Sequence, residues 1–253
     1  TLDSEMWLML DSASRLVDRM CNRHFFVLLA SRAFDVSNVH RISIPDLAVI
    51  TVIREDRDGD RVYEVTRGSS DYLPWPTNAE PESVNGIPYN AILADPEGVR
   101  PDFPVGLRRV QITGEWGYRK SSRASGTTLN QGGPLSVGVT AVTVADGTKI
   151  AAGQTLLLES EQMFVREVAT NVATVERGVN GTVEVTHVDG ITVSVCDYPA
   201  PVVEAATLIT ARLWKRKDVP LGDGLDVNSS AADSDVNALL DAYKRLPLGV
   251  VAW

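Results

Sequence analysis

Near the start of the sequence the apolar positions keep a helical period. Met6, Leu10, Ala13, Val17 and Met20 stand at offsets 0, 4, 7, 11 and 14, one face of an amphipathic helix over Asp3 to Cys21. Arg15, Asp18 and Arg19 are expected on the opposite face. The period then changes. Phe25 to Val36 and Arg41 to Ile44 read as extended, and Leu47 to Arg54 (LAVITVIR) is a β-branched run. It passes through EDRDGDR into VYEVTRG, which predicts a hairpin turning at Asp58-Gly59. Tyr72 to Gly106 carries Pro74, Pro76, Pro81, Pro88, Pro96, Pro101 and Pro104. It predicts loops with one short strand, Ile87 to Leu93. Val110, Ile112, Trp116 and Tyr118 then share one face of a strand.

At Arg119 the pattern shifts to a polar stretch, RKSSRASGTTLNQGG, which reads as a linker. From 135 to 195 alternation returns in short runs: Val137 with Val139, Leu156 with Leu158, Val172 with Thr174, and Ile191, Val193 and Val195. Turn pairs separate them at Asp146-Gly147, Ala152-Gly153, Asn180-Gly181 and Asp189-Gly190. Short strands at this spacing predict a small β-barrel or sandwich. A second amphipathic helix follows from Tyr198 to Asp218, with Val202, Ala206, Ile209 and Leu213 on one face. Pro199 and Pro201 lie at its start, and Pro220 stops it. Val236, Leu239, Leu240 and Tyr243 mark a last short helix before an apolar tail, LPLGVVAW. The expected fold is α+β. Residues 1–118 and 198–253 form a discontinuous helical core with strands and a hairpin, 119–197 form an inserted all-β barrel or sandwich, and 246–253 form a docking tail.

Composition narrows the function. The 253 residues are 44% hydrophobic and 23% charged, an ordinary globular balance. No apolar run approaches the roughly 18 residues of a membrane span, and the first residues do not read as a secretory leader. A net charge of −9 argues against a sequence-reading nucleic-acid binder, which needs a basic patch. Cys21 and Cys196 read as buried reduced thiols. Of the three histidines, His24 follows Cys21 at CxxH spacing, but no second pair completes a zinc site. Asp56, Asp58 and Asp60 around Gly59 share part of a calcium-loop pattern. The flanking spacing and terminal Glu are missing, so a solvated hairpin tip is the expectation. Glu159 and Glu161 flank Ser160 and would suit acid–base work, yet no nucleophile or metal set accompanies them. No phosphate-binding or dinucleotide glycine loop occurs. Trp75, Trp116 and Trp214 are expected in core or interface packing. The basic run Arg212, Lys215, Arg216 and Lys217 complements the dipole of its helix, and it could also touch phosphate or an acidic neighbour.

Taken in order, these phrases resemble the head-to-tail connector (adaptor, or head-completion) proteins of long-tailed bacteriophages. The resemblance lies in the first helix followed by Arg23 to Phe26, the strand Ile42 to Ile53, and the strand phrase Val110, Ile112, Thr113, Gly114, Trp116, Gly117 and Tyr118. It continues through the helix Pro199 to Arg216 and the closing phrase Leu239, Leu240, Tyr243, Arg245 and Leu246. The β-segment is similar to a module of phage structural proteins through Gly153, Glu161-Gln162-Met163, Glu176 to Thr182, His187 and Gly190. Short family members run from the strand almost directly into the helix, so the segment 119–197 is an addition.

The resemblance implies a structural virion protein of the phage neck and no enzymatic activity or cofactor. It implies a homo-oligomeric ring, twelve-fold, beneath the portal protein. The ring would extend the DNA channel, let DNA pass without sequence-specific binding, and meet the next neck or tail-terminator protein. Assembly would occur in the host cytoplasm, without a membrane. The tail residues Leu246, Leu248, Val250, Val251 and Trp253 would dock on the portal. Arg212, Lys215, Arg216 and Lys217 would contact the ring neighbour or face the channel. Two other readings remain: a tail or baseplate protein whose β-domain binds a host glycan or another surface partner, and a hydrolase using Glu159 or Glu161.

Overall fold

The computed structural model describes residues 2–83, 85–120, 122–217 and 234–245. It is an α+β protein with helices and two antiparallel sheets. The chain divides into two compact units, Thr1–Phe25 with Tyr198–Trp253, and Phe26–Asp197.

The first unit is helical, with α1 (Leu2–Cys21), α2 (Ala200–Lys217) and α3 (Ser234–Leu240) packed on one another. Ala13, Val17 and Cys21 of α1, Val202, Ala205 and Ile209 of α2, and Val236 and Leu240 of α3 are buried. Relative to the expected stripe on α1, burial concentrates toward the C-terminal end. Met6 is exposed, and Asp18, expected outside, is buried. The reason is local. Asn22 takes a left-handed conformation, the Arg23 N–H returns to the Asp18 carbonyl at 3.1 Å, and Asp18 Oδ1 accepts the Phe25 N–H at 3.3 Å. The carboxylate thus serves the backbone that leaves the helix. Phe25 then meets the Tyr243 ring edge-on, at 5.9 Å between centroids.

The second unit holds both sheets. The first sheet comprises β1 (Leu28–Val36), β2 (Arg41–Glu55), β3 (Val65–Thr66), β4 (Tyr72–Trp75), β5 (Tyr89–Ala94) and β6 (Gly106–Trp116). Its order is β1-β6-β2-β5-β4, with β3 on the end of β2. The two extended runs expected at 41–44 and 47–54 are one strand. Pro45 is accommodated by a register shift between Ser43 and Leu47 in the pairing with β5, since proline cannot donate to a ladder. The hairpin forms, with Arg54 opposite Thr66, but its second strand is only two residues long. β4 lay hidden among prolines because it is an edge strand, where a missing N–H costs little. Ile42, Ile44, Ile53, Ile92, Val110, Ile112 and Trp116 build the core of this sheet around Phe103. Trp116 donates from Nε1 to the Ala30 carbonyl at 2.8 Å.

The second sheet comprises β7 (Ser122–Thr128), β8 (Ala141–Thr143), β9 (Thr155–Leu158), β10 (Glu161–Ala169), β11 (Val172–Glu176) and β12 (Thr192–Cys196), in the order β7-β12-β9-β10-β11-β8. It does not close into a barrel. Past the ends of β7 and β8, one bridge joins Leu129 to Val144. The expected linker is in fact strand β7. Its inward residues are Ser125 and Thr127, small hydroxyls that hydropathy reads as loop. Ser125 Oγ satisfies itself on the Val193 carbonyl at 2.6 Å. On β11 the inward face is Ala173 and Val175, whereas Val172 and Thr174 face out.

Gly114, in β6 between β1 and β2, has no room for a side chain, because a Cβ there would lie 2.2 Å from the Val49 carbonyl oxygen. Gly114→Ala is expected to cost about 1–3 kcal/mol through forced backbone shifts, read as a lowered urea midpoint of the full chain at unchanged slope.

Candidate functional site

The most buried ionic cluster of the second sheet is built around Glu161, the first residue of β10. β9 and β10 are joined by the tight turn Glu159-Ser160, with Leu158 opposite Glu161 and Glu159 at positive φ. This turn sends Glu161 inward, where it is fully buried, and leaves Glu159 at the rim. Arg177 follows the end of β11. Its Nε lies 2.6 Å from Glu161 Oε1 and its Nη2 2.8 Å from Oε2, a two-pronged pairing. The Gly178 N–H reaches Oε1 at 3.2 Å, and the Val185 N–H reaches Oε2 at 3.0 Å. The His187 ring, also fully buried, stands between two carboxylates, with Nε2 2.9 Å from Glu161 and Nδ1 2.8 Å from Glu159. Burial by itself would raise the Glu161 carboxyl. The hydrogen bonds from Arg177, Val185 and His187 outweigh it and hold the group below its ordinary range.

Arg177 has further donors, and they go to loops. Nη1 reaches the carbonyls of Ser136 and Val139 at 3.3 and 3.0 Å, and Nη2 reaches that of Val185 at 2.7 Å. Glu184 pairs with Arg177 at 3.3 Å and accepts the Gly138 N–H at 2.6 Å. Leu135 and His187 exchange backbone hydrogen bonds. The cluster therefore locks segments 135–139 and 177–187 against each other. These segments expose several valines, beside Ser136 and Thr186. Val137, Val183, Val185 and Val188 are exposed, Val183 by 74%, and the acids Glu159, Glu184 and Asp189 lie among them in the chain. Chemically the cluster is a fastening. Each Glu161 oxygen already has protein donors, and the arrangement fastens the segments that carry the exposed valines.

Next to it, Gln162 ties this surface to the start of β1. Its amide Nε2 donates to the Val27 carbonyl at 2.8 Å, its Oε1 accepts from Asn180 Nδ2 at 2.9 Å, and its N–H meets Thr182 Oγ1 at 3.0 Å. The sequence signals Glu161-Gln162, Arg177-Gly178, Asn180 to Thr182 and His187 thus converge on one place. Sequence reasoning did not pair Glu161 with Arg177. The available signal was an acid just ahead of the apolar run Met163 to Val165 and a base just past the next strand.

A second buried ionic group holds the first sheet. Arg67 and Glu55 form a fully buried pair, and Arg57 adds a bond to Glu55 at 2.8 Å. The Arg67 guanidinium also reaches the carbonyls of Asp71, Arg100 and Asp102 and lies 4.1 Å over the Phe103 ring. It gathers the proline-rich loops onto the core. At the hairpin tip, Asp56, Asp58, Asp60 and Glu64 bring carboxylate oxygens within 4.8 Å of one another. Each already accepts a loop N–H, Asp56 from Gly59 and Arg61, Asp58 from Asp60, Asp60 from Val62 and Glu64 from Arg57. Arg109 lies 3.3 Å from Asp56.

The other sequence-selected residues are dispersed. Arg212 is engaged by Asp235 of α3, its Nη2 2.6 Å from both carboxylate oxygens, while Lys215 and Arg216 are exposed and Lys217 ends α2. Leu246, Leu248, Val250, Val251 and Trp253 lie outside the described residues. Cys21 and Cys196 are free thiols, and burial pushes Cys196 up to about 12. His24 is exposed, with Nδ1 3.7 Å from Asp18. Trp116 is core, and Trp75 is exposed at the sheet edge. Among the described residues, no helix is long and apolar enough to cross a membrane. In comparisons with known proteins, no family model, curated sequence or solved structure matches this chain.

Glu161→Gln removes the carboxylate that faces Nε and Nη2 of the buried Arg177, leaves it only Glu184 at 3.3 Å, and is expected to cost about 3 kcal/mol at pH 7. Because the folded Glu161 carboxyl is depressed, its contribution is full above the unfolded value of about 4.3 and fades as pH falls through the folded value. Urea titrations of wild type and Glu161→Gln from pH 7 to 3 check both points. The wild type should lose stability more steeply in the acid range, and an equal slope in the two proteins would contradict the assignment.

Proposed function

We propose that this chain is a non-enzymatic connector of a bacteriophage neck, forming a ring between portal and tail. The observation that carries the reading is the Glu161–Arg177–His187 cluster. Its hydrogen-bonding capacity is spent on the protein's own loops, and it stiffens an exposed apolar surface instead of presenting reactive groups. A surface of this kind suits assembly, since apolar area without charge at the centre is what protein interfaces use. The order of the helix, strand and tail phrases along the chain supports the same reading.

Within it, copies associate head to tail and close into a twelve-fold ring. Residues 119–197 act as an inserted all-β domain that carries the exposed valines. The apolar tail 246–253 docks on the portal protein, and the opposite side of the ring receives the next neck or tail protein. The net charge of −9 suits a channel through which DNA slides without tight phosphate contact. The protein is then a virion component assembled in the host cytoplasm.

Negative-stain images of the purified chain, alone and mixed with its portal protein, are expected to show rings. Removing residues 246–253 is expected to abolish portal binding while ring formation persists. A chain that stays monomeric in both samples, or a truncated chain that binds portal normally, contradicts the proposal at the corresponding step.

A further inference from the structure

The valine surface has a charge and shape character that specifies its occupant, if the chain assembles as proposed above. Val137, Val183, Val185 and Val188 are 58%, 74%, 37% and 61% exposed. They sit on two segments fastened from beneath by Arg177, so the surface is preorganised and loses little freedom on docking. Around them the charges are acidic. Glu159 is exposed at the rim, Glu184 is half-buried, and Asp189 is exposed.

α2 carries the complementary character. Val203, Thr207, Ala211 and Lys215 are all exposed and spaced four apart, so they form one ridge along the helix. Along the ridge itself the first charge is Lys215, at the C-terminal end beside the exposed Arg216, while the exposed Glu204 flanks its start. Arg212 is already engaged by Asp235, which leaves the end of the ridge as the cationic feature offered outward. We infer that the exposed ridge of α2 in a neighbouring copy docks on the valine surface of the β unit. Val203 and Ala211 lie against the valines, and Lys215 and Arg216 face the exposed Glu159 and Asp189. The contact is heterologous, with different patches on the two copies, which is the kind that closes into a ring.

The test uses the full chain with one exposed cysteine added to the native Cys21 and Cys196, Val188→Cys in one preparation and Lys215→Cys in the other, a bis-maleimide linker, and the unsubstituted chain as control. Cross-linked dimers are expected when the two variants are mixed and not from either alone. Reversing charge with Lys215→Glu and Arg216→Glu should dissociate the oligomer by light scattering. Adding Glu159→Lys and Asp189→Lys to that variant should restore it. Oligomers that form normally with reversed charge, or that link Val188→Cys to itself, overturn this contact but leave the connector reading standing. A wild-type chain that is monomeric at every concentration overturns both.

Discussion

The β unit depends on the requirement that a carboxylate removed from water be neutralised and hydrogen-bonded. Glu161 has no exposure at all, and an isolated charge in that position would cost several kcal/mol. The fold meets the requirement with a guanidinium, two backbone N–H groups and an imidazole, drawn from the stretches 177–178 and 185–187. None of those stretches is a long strand. Satisfying the charge therefore fixes loops that hydrophobic packing alone would leave loose, and the exposed valines inherit that order.

The first sheet solves a related problem with the sign reversed. There the buried Arg67 is central, pairing with Glu55 and spreading its remaining donors over backbone carbonyls of the proline-rich region. Prolines lower the number of backbone hydrogen bonds such a region can make for itself. A fork of several donors supplies external partners to the orphaned carbonyls and stacks on Phe103. In both sheets, buried charge contributes geometry more than net stability, as expected when desolvation offsets most of the Coulomb gain.

Much of this was legible in the sequence. The helices α1 and α2, the hairpin after β2 and the alternation of β6, β9 and β12 follow from period and turn chemistry. The segments that escaped did so for physical reasons. β7 fills its inward positions with Ser125 and Thr127, so burial there depends on hydroxyls finding carbonyls, which hydropathy does not record. β4 carries prolines that an edge position tolerates. Asp18 is buried because the chain turns back at Asn22, a tertiary event. At the site, Glu161 and His187 stood out as residue types, but their convergence with Arg177 depends on the turn at Glu159-Ser160 and on the register of β10 with β11. Such long-range coincidences are set by topology.

The helical unit is assembled from residues on both sides of the β unit. During synthesis α1 emerges early with the apolar stripe Ala13, Val17 and Cys21, and its partners on α2 and α3 are made only after both sheets. Closing a loop of that length as unfolded chain carries an entropic penalty that rises with its length. Once the sheets have folded, that loop is a compact body and the encounter of α1 with α2 costs less. Chain order and loop closure thus favour docking of the bracketing helices after the strands between them have folded.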